Sequence, residues 1–397
     1  MGIVYRGLVR DSAIPSDPRR IAAAAMMAIA RRTGSPAVAL PDGFGADLER
    51  DADVLTEALP GDGPWWDVLS AMAWHSDVPH TAVTDAGFAA GMAARMSGAP
   101  LAAPGFALWR LEDGRLGFAD VDPAGSAHAA GIQPGDVLLE VDGRAAVRAN
   151  SEVLPFHTAP AGAVFDLTTE RDGARRRVRL TLEPGEVACV TQRAREGGVG
   201  HVRVRWFATS ADARSDAGTL VREALSAMAA AGAPGVVIDV RSGLGGMLSA
   251  STTIVSALCD DDVVGADRDA SGMVRTYPRV GAVCWPGAPV VVLVNEQTIS
   301  AAEWLALGLE ELAGAVLVGT PTAGGLNALR FIDLADGHRL AIPSGTVLGP
   351  RTRRARPGAR LTPQVHAANP TARELAAGVD PALDVAVRTV QHLAARR

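Results

Sequence analysis

The spacing of hydrophobic and polar residues changes twice along this chain and divides it into three regions. In residues 1–95 the apolar positions recur at helical spacing. They predict helices over 16–32, 44–59 and 64–73, separated by joints rich in proline and glycine. The first region is therefore expected to be an N-terminal helical domain that forms a cap.

The second region, residues 96–186, has short apolar runs bounded by turn residues. Such runs predict strands, and they fall at 105–108, 116–121, 136–141 and 176–182. We expect a separate β-rich module here.

The third region, residues 187–397, alternates apolar strand-like runs with helix-like runs. Alternation of this kind predicts a layered α/β core. The predicted strands are 201–207, 236–240, 290–294, 316–318, 329–334, 338–342 and 346–348, and the predicted helices are 215–231, 248–258, 300–312 and 383–394.

Composition narrows the function classes. The 397 residues are 48% hydrophobic and 21% charged, which is ordinary for a globular protein, and no apolar run reaches membrane-spanning length. The net charge is -6, and the arginine-rich runs at 175–177 and 351–356 are short. Nucleic acid and membrane are therefore not expected as partners.

Neither the cysteines nor any metal-binding motif indicates a cofactor. Cys189, Cys259 and Cys284 lie far apart in apolar surroundings, which favours buried free thiols over a disulfide framework or a zinc site. The sequence has no phosphate-binding glycine loop followed by lysine and no paired-histidine zinc motif. We predict neither a metal nor a cofactor.

A basic and apolar stretch at about 19–32 has two interpretations. It is similar to a secretion signal, but Ser16 and Asp17 begin a helix well and Gly34 ends one. We favour an ordinary helix and a cytoplasmic protein, with secretion as the alternative.

Residues 125–143 resemble the core of a PDZ domain of the type found in bacterial proteases. The resemblance implies that the loop Gly105, Phe106, Ala107 and Leu108 binds a peptide C-terminus by strand addition. The alternative is a PDZ shell that only packs against the core.

Two segments of the third region resemble the C-terminal processing peptidases of family S41, also called tail-specific proteases. Residues 237–246 are similar to that family's strand and glycine loop, and residues 291–304 to its strand, turn and helix carrying the nucleophile. The resemblance continues through 319–325 and 361–383. It implies a ClpP/crotonase-like layered α/β core with an inserted PDZ-like domain.

The same resemblance assigns site residues. Ser300 takes the nucleophile position, where a helix N-terminus favours developing negative charge. Gly245, Gly246 and Ala301 are the candidate oxyanion-hole donors. The alternative for Ser300 is a helix N-cap, with Glu303 completing a capping box.

The base departs from the most common pattern of the family. Many members use a Ser-Lys dyad, but Gly325 stands at the lysine position, and the sequence contains no lysine at all. Residues 77–81 resemble instead the Asp-Pro-His-Thr signature of the tricorn-like branch, which uses histidine. His80 is therefore the candidate general base, and a backbone-bonded structural histidine is the alternative.

The group that orients His80 stays open. Pro357 occupies the place of that branch's late glutamate, and Gln364 stands where an aspartate is common. The candidates are Asp77, Glu303 and Asn327, while His75 and His338 are poorer candidates for the base than His80.

Two functions follow from these assignments. The first is a serine hydrolase that acts on a peptide-like substrate with a free C-terminus and either cleaves it or transfers its acyl group. The sequence also permits a homo-oligomer. The second is a catalytically inactive S41-like protein that binds peptide C-termini through its PDZ-like domain.

Overall fold

The computed structural model describes residues 82–84, 86–97, 101–146, 156, 158–185, 188–209, 215–243, 245–269, 272–285, 287–333, 339–356 and 359–397. The three helices predicted within 16–73 lie outside these residues. The chain divides into two units, residues 1–89 with 328–344, and residues 90–327 with 345–397; of the first unit, 82–84, 86–89, 328–333 and 339–344 are described. The domain boundaries at 95/96 and 186/187 stay a prediction.

The elements follow one another along the chain. The strands are β1 (Ala82–Thr84), β2 (Leu101–Ala102), β3 (Ala107–Arg110), β4 (Leu116–Ala119), β5 (Val137–Val141), β6 (Arg144–Ala145), β7 (Val164–Arg171), β8 (Ala174–Thr181), β9 (Pro184–Gly185), β10 (Val190–Ala194), β11 (Gly200–Val204), β12 (Val236–Asp239), β13 (Val263–Asp269), β14 (Val274–Pro278), β15 (Val290–Val294), β16 (Val316–Gly319), β17 (Asn327–Asp333), β18 (Arg339–Leu348) and β19 (Val365–His366). The helices are α1 (Ala86–Met96), α2 (Ser126–Ala129), α3 (Ala217–Ala230), α4 (Leu248–Leu258), α5 (Ala301–Leu312), α6 (Ala372–Ala376) and α7 (Pro381–Ala394).

In the first unit, β1 pairs antiparallel with the beginning of β18, from Ala82 opposite Ala341 to Thr84 opposite Arg339. The Thr84 hydroxyl donates to the Arg339 carbonyl at 3.3 Å. These bonds join the two described stretches of the unit, which are far apart in sequence.

The β-rich module of the second unit is an antiparallel sheet in the order β3-β4-β5-β7-β8, with β6 beside β5. Its long β7–β8 hairpin turns at Asp172 and Gly173, whose φ angles are 52° and 78°. Two positive φ values are what a two-residue hairpin turn of matching twist needs. Aromatic rings fill the core, where Phe106 makes edge contacts with Phe118 and Phe156.

The α/β core is built on a six-stranded sheet in the order β10-β11-β12-β15-β16-β19. β10 is antiparallel to β11, and the other neighbours are parallel. Alternate side chains of a strand point to opposite faces, so strands buried on both faces are apolar throughout. Val236 and Ile238 of β12 pack in the cluster of α3, α4 and α5, whereas Val237 packs with α7. Helices therefore cover both faces of this sheet.

A smaller sheet in the same unit extends the core. β13 pairs antiparallel with β14, and its other edge pairs with residues 345–348 at the end of β18. Trp304 of α5 contacts Tyr277 of β14 edge to face, with the ring centroids 4.9 Å apart. The helix that follows Ser300 is thus packed against this sheet.

The predicted α/β class with a β-rich module is confirmed. The strand over 290–294 and the helix over 248–258 have the predicted bounds. Other predictions were shifted or incomplete, because the first PDZ-like strand is Ala107–Arg110 and the separate strands at 338–342 and 346–348 are one strand, Arg339–Leu348. Four strands of five or more residues were not predicted, namely β7, β10, β13 and β14, and neither were the short strands β1, β2, β6, β9 and β19.

Among the described residues, no helix has both the length and the apolar composition required to span a bilayer.

Candidate active site

Two chain segments meet at the C-terminal ends of neighbouring parallel strands. The glycine loop, residues 240–247, follows β12, and the serine turn, residues 295–300, follows β15. Parallel sheets commonly form sites at this edge. A Cβ atom at Gly245 would lie 2.6 Å from Ser300 Cβ and 3.1 Å from Ser300 Oγ. The absence of a side chain at Gly245 is what lets the two segments touch.

Ser300 has a strained backbone, with φ 62° and ψ -123°. Residues other than glycine rarely adopt positive φ, and such strain concentrates at functional sites. An ordinary N-cap has extended backbone angles instead. Ser300 directly precedes α5, so its conformation projects a hydroxyl at a helix N-terminus and beside the glycine loop.

Glu303 ties the serine turn to a second loop. Its Oε2 accepts the Ser300 N–H at 3.0 Å, which is the glutamate half of the predicted capping box. The same oxygen accepts the Gly325 N–H at 2.7 Å, and Oε1 accepts the Gly324 N–H at 2.9 Å and the Thr322 hydroxyl at 2.5 Å. One carboxylate therefore holds two loops that are about twenty residues apart in sequence.

The pKa of Glu303 is raised from 4.5 to about 7. Burial is the largest cause, since the side chain has no exposed surface, and the four hydrogen bonds oppose it. No cation faces this carboxylate among the hydrogen bonds and ion pairs of the described residues. Within the described part of the chain, its partners are N–H and O–H dipoles.

Gly325, which stands at the lysine position of the Ser-Lys enzymes, adjoins the serine turn. A Cβ atom there would lie 2.7 Å from Ile299 Cγ1, 3.0 Å from Glu303 Oε2 and 3.2 Å from Ser300 N. A side chain at this position would therefore have to push the Glu303 contacts apart. In this chain the loop is packed for glycine.

Of the described residues in the glycine loop, three have positive φ: Ser242 at 56°, Gly245 at 77° and Gly246 at 131°. The Gly245 carbonyl accepts the Phe207 N–H at 3.1 Å, and a Cβ at Gly246 would lie 2.4 Å from the Phe207 carbonyl oxygen. Phe207 therefore fixes the peptide groups of both glycines. The third predicted oxyanion donor, Ala301, is the first residue of α5, and the first N–H groups of a helix have no carbonyl partner within it.

A buried ion network anchors the start of the glycine loop. Arg241 donates to both carboxylate oxygens of Asp239, at 3.0 and 2.8 Å, and to both of Asp380, at 2.8 and 2.7 Å. His201 Nε2 lies 3.4 Å from Asp239 Oδ2. Burial opposes the charge of Asp239, but Arg241 and the hydrogen bonds from His201 and Arg241 together hold its pKa well below its ordinary value.

Asn295 links the two segments of the site. Its Oδ1 accepts the Ser242 N–H at 3.2 Å and the Gln297 N–H at 3.1 Å. Thr298 adds a bond from its hydroxyl to the Val240 carbonyl at 3.0 Å. Hydrogen bonds of Asn295 and Thr298 therefore tie the serine turn to the glycine loop.

The predicted peptide-binding loop of the β-rich module lies at one edge of its sheet. Gly105 has φ 71°, and its carbonyl accepts the Asp122 N–H at 2.8 Å. The Phe106 ring and the Ala107 side chain are buried, in the two apolar clusters on opposite faces of the sheet. The Leu108 carbonyl accepts from the Ser242 hydroxyl at 3.3 Å, which connects this loop to the site.

An aromatic and arginine stack joins the β-rich module to the core. Two guanidinium groups lie over the Trp109 ring, that of Arg203 at 4.8 Å and that of Arg241 at 4.5 Å from the ring centroid. Asp120 forms ion pairs with Arg203 and Arg205. Trp109 thus contacts the same arginine that anchors the glycine loop.

Several predicted site residues lie outside the described residues, namely Asp77, His80, His75, His338 and Pro357. Asn327 is described, and its N–H donates to the Gly325 carbonyl at 2.8 Å. Both oxygens of Glu303 already accept two hydrogen bonds each. The group that orients His80 stays a prediction.

The sequence reasoning missed Asp239, Arg241, Asn295 and Gln297. One feature of the sequence could have identified Asp239 and Arg241: they are opposite charges two residues apart at the end of an otherwise apolar strand. No local pattern identifies Asn295 and Gln297, because their partners are distant in sequence. Among the described residues, no group of three or more metal-binding side chains is placed to hold an ion.

The fold and the site together define a layered α/β protein with a strained serine at a helix start, a glycine loop against it and a PDZ-like sheet beside both. Residues 198–367 match peptidase family S41, and residues 117–171 match the PDZ domain family. The chain therefore contains an S41 peptidase domain and a PDZ domain, and the resemblance seen in the sequence is confirmed.

The chain is similar to carboxyl-terminal-processing proteases. That of Picosynechococcus sp. is 29% identical over 226 residues, which cover 55% of this chain and 53% of the relative. That of Synechocystis sp. is 30% identical over 230 residues, covering 55% and 52%. These matches span about half the length of the curated relatives.

A solved structure shows the same fold. The photosystem II D1 C-terminal processing protease aligns over 93% of this chain and 100% of its own, with TM-score 0.58 and 21% identity. The assignment to the histidine-using branch stays a prediction, because His80 lies outside the described residues.

Proposed function

We propose that this chain is a serine peptidase in which Ser300 attacks the carbonyl carbon of a peptide bond. The observation that carries the proposal is the strained Ser300, held at a helix start in contact with Gly245. The S41 domain and the similarity to carboxyl-terminal-processing proteases support a peptidase function.

The reaction needs a base, an oxyanion site and a leaving-group acid. As Ser300 Oγ bonds to the carbonyl carbon, its proton passes to His80. The carbonyl oxygen gains negative charge, which N–H groups of Gly245, Gly246 and Ala301 stabilise. His80 then gives the proton to the departing amine, and water hydrolyses the acyl-enzyme by the reverse sequence.

The substrate follows from the PDZ domain and the relatives. Strand addition to a PDZ sheet captures a peptide with a free C-terminus. We propose such a peptide as the substrate, handled in the cytoplasm. The family names of the relatives support processing at the carboxyl end.

A fluorophosphonate probe, which reacts with activated serines, tests the chemistry. Wild type should be labelled and Ser300→Ala should not, whereas Ser226→Ala, an exposed serine of α3, should be labelled like wild type. Ser300→Ala and His80→Ala should each lower peptide turnover by about 10³-fold or more.

One observation favours the second candidate, a catalytically inactive peptide-binding protein. Glycine is packed at the family's lysine position, and the Glu303 oxygens are fully used within the protein. Absence of labelling in wild type, with peptide binding retained, would establish the inactive binder instead.

A further inference from the structure

The edge of the PDZ sheet that would accept a peptide strand is β3. In an antiparallel pair, successive residues direct their N–H and C=O groups alternately toward and away from the neighbouring strand. β3 is the end strand of its sheet and pairs on one side with β4. Leu108 and Arg110 bond on the opposite side, where strand addition would take place.

That side of β3 is already occupied by Gln297 of the serine turn. Its Oε1 accepts the Arg110 N–H at 2.7 Å, and its Nε2 donates to the Leu108 carbonyl at 3.2 Å. In an antiparallel added strand, one ligand residue would donate its N–H to the Leu108 carbonyl, and the residue two positions before it would accept the Arg110 N–H. The side-chain amide of Gln297 therefore takes two bonds that two residues of a ligand strand would make.

Gln297 is held in this place by a built network. Its own N–H donates to Asn295 Oδ1 at 3.1 Å, and Asn295 is 2% exposed. Its Oε1 also accepts from the Ser242 hydroxyl at 3.2 Å. Glu296, the preceding residue, accepts hydrogen bonds from Thr320 at 2.6 Å and Asn369 at 2.7 Å.

We propose that Gln297 is an internal ligand of the PDZ edge and limits how much of a peptide tail this edge can read. Short of the groups that Gln297 takes, an antiparallel tail can pair with Phe106 and with the Leu108 N–H, which corresponds to about its last three residues, since added strands bond at every second residue. Longer pairing requires Gln297 to leave. Sequence preference is then concentrated in those last residues. This inference rests on the peptide recognition in the proposed function.

Peptide length provides the test. Binding is measured by fluorescence anisotropy with pooled random tripeptides and pooled random hexapeptides, each with a free carboxylate and the same fluorescein spacer. All proteins carry Ser300→Ala, so that cleavage does not interfere. Amidated hexapeptides are the control for carboxylate capture and should bind at least about 10-fold more weakly.

The compared variants are Gln297→Ala and Gln192→Ala, the latter an exposed glutamine of β10. With Gln297 present, hexapeptides should bind within about 2-fold of tripeptides. In Gln297→Ala they should bind about 10-fold more tightly than tripeptides, because two further hydrogen bonds form. Gln192→Ala should behave like the parent protein.

Hydrogen exchange of backbone amides tests the contact of Gln297 with β3 without any ligand. Segment 107–111, followed by mass spectrometry, should exchange faster in Gln297→Ala because the Arg110 N–H loses its acceptor. Unchanged exchange, an equal length dependence in both variants, or no binding of either pool by any variant overturns the proposal. Failure of Ser300 labelling in the wild type would refute the chemistry alone, because these measurements do not use it.

Discussion

The glycine loop and the serine turn each bury a carboxylate, but they stabilise it by different means. Asp239, before the glycine loop, is paired with Arg241, and its pKa is well below its ordinary value. Glu303, after the serine turn, is bonded by N–H and O–H donors among the described residues, and its pKa is raised to about 7. Both side chains are fully buried.

The difference shows what each carboxylate does. The Arg241 guanidinium holds the pKa of Asp239 well below its ordinary value, so Asp239 is ionised at neutral pH and anchors the loop as a charged group. The N–H and O–H dipoles around Glu303 offset the cost of its burial only in part, so the pKa of Glu303 lies near neutral pH. The glycine loop is therefore fixed by charge, whereas the serine turn is held by a group that changes its charge.

Removing the cation should have the largest effect on stability. Arg241→Ala leaves Asp239 buried without its partner, and we expect a loss of about 3–5 kcal/mol in the free energy of unfolding, measured with urea. Arg193→Ala, an exposed arginine of β10, should change it by less than about 0.5 kcal/mol. Equal losses in the two variants would contradict a charge-anchored glycine loop.

Glu303 should make stability depend on pH. Its pKa is higher in the folded protein, so between pH 4.5 and about 7 the unfolded chain gives up a proton that the folded protein keeps. Relative to Glu303→Gln, the wild type should lose about 3 kcal/mol as pH rises through this range, and no more above it.

Urea unfolding of both proteins from pH 4 to 8 measures this difference. Parallel curves would show that Glu303 does not titrate there. The side-chain amide of glutamine would face several N–H donors, so Glu303→Gln is expected to be less stable than the wild type at every pH. The comparison therefore uses only the change in the free energy of unfolding with pH.

The contact between the two segments can be tested at Gly245. Gly245→Ala places a Cβ against Ser300 and keeps a φ of 77°, and we expect a loss of about 2 kcal/mol together with loss of fluorophosphonate labelling. Gly173→Ala has a similar φ of 78° but open space around its Cβ, so it should lose about 1 kcal/mol and keep the labelling. Similar results for both variants would mean that backbone strain alone is responsible.

The smallest effect is expected at the stack on Arg241. Trp109→Phe retains an aromatic face, and Trp109 Nε1 makes no hydrogen bond with the described residues. We expect a loss of about 0.5–1 kcal/mol in urea unfolding. Trp285→Phe, which loses a bond to the Ala288 carbonyl, should cost more, and the reverse order would contradict this interpretation of the stack.

The sequence alone predicted the apolar framework well. β15 and α4 have the predicted bounds because buried strands and helices carry uninterrupted or periodic apolar residues. β14 was missed because all of its residues except Tyr277 are exposed, so the run of Val274–Pro278 lacks an apolar face. The hairpin strand β7 was missed although it alternates buried and exposed residues, because Thr and Glu occupy several of its positions.

The site was only partly predictable. Ser300 and Gly245 were assigned from local motifs, and the structure brings them into contact. The ion network was not foreseen, because Arg241 bonds to Asp380, 139 residues away. The contact of Gln297 with β3 spans 187 residues and depends on how the two domains pack, which no local pattern encodes.

The stack at Trp109 has a consequence for the surroundings in which the protein works. Both groups on the ring are guanidinium groups, and arginine keeps its charge at every pH at which proteins stay folded. Acidification of a compartment would leave this contact intact.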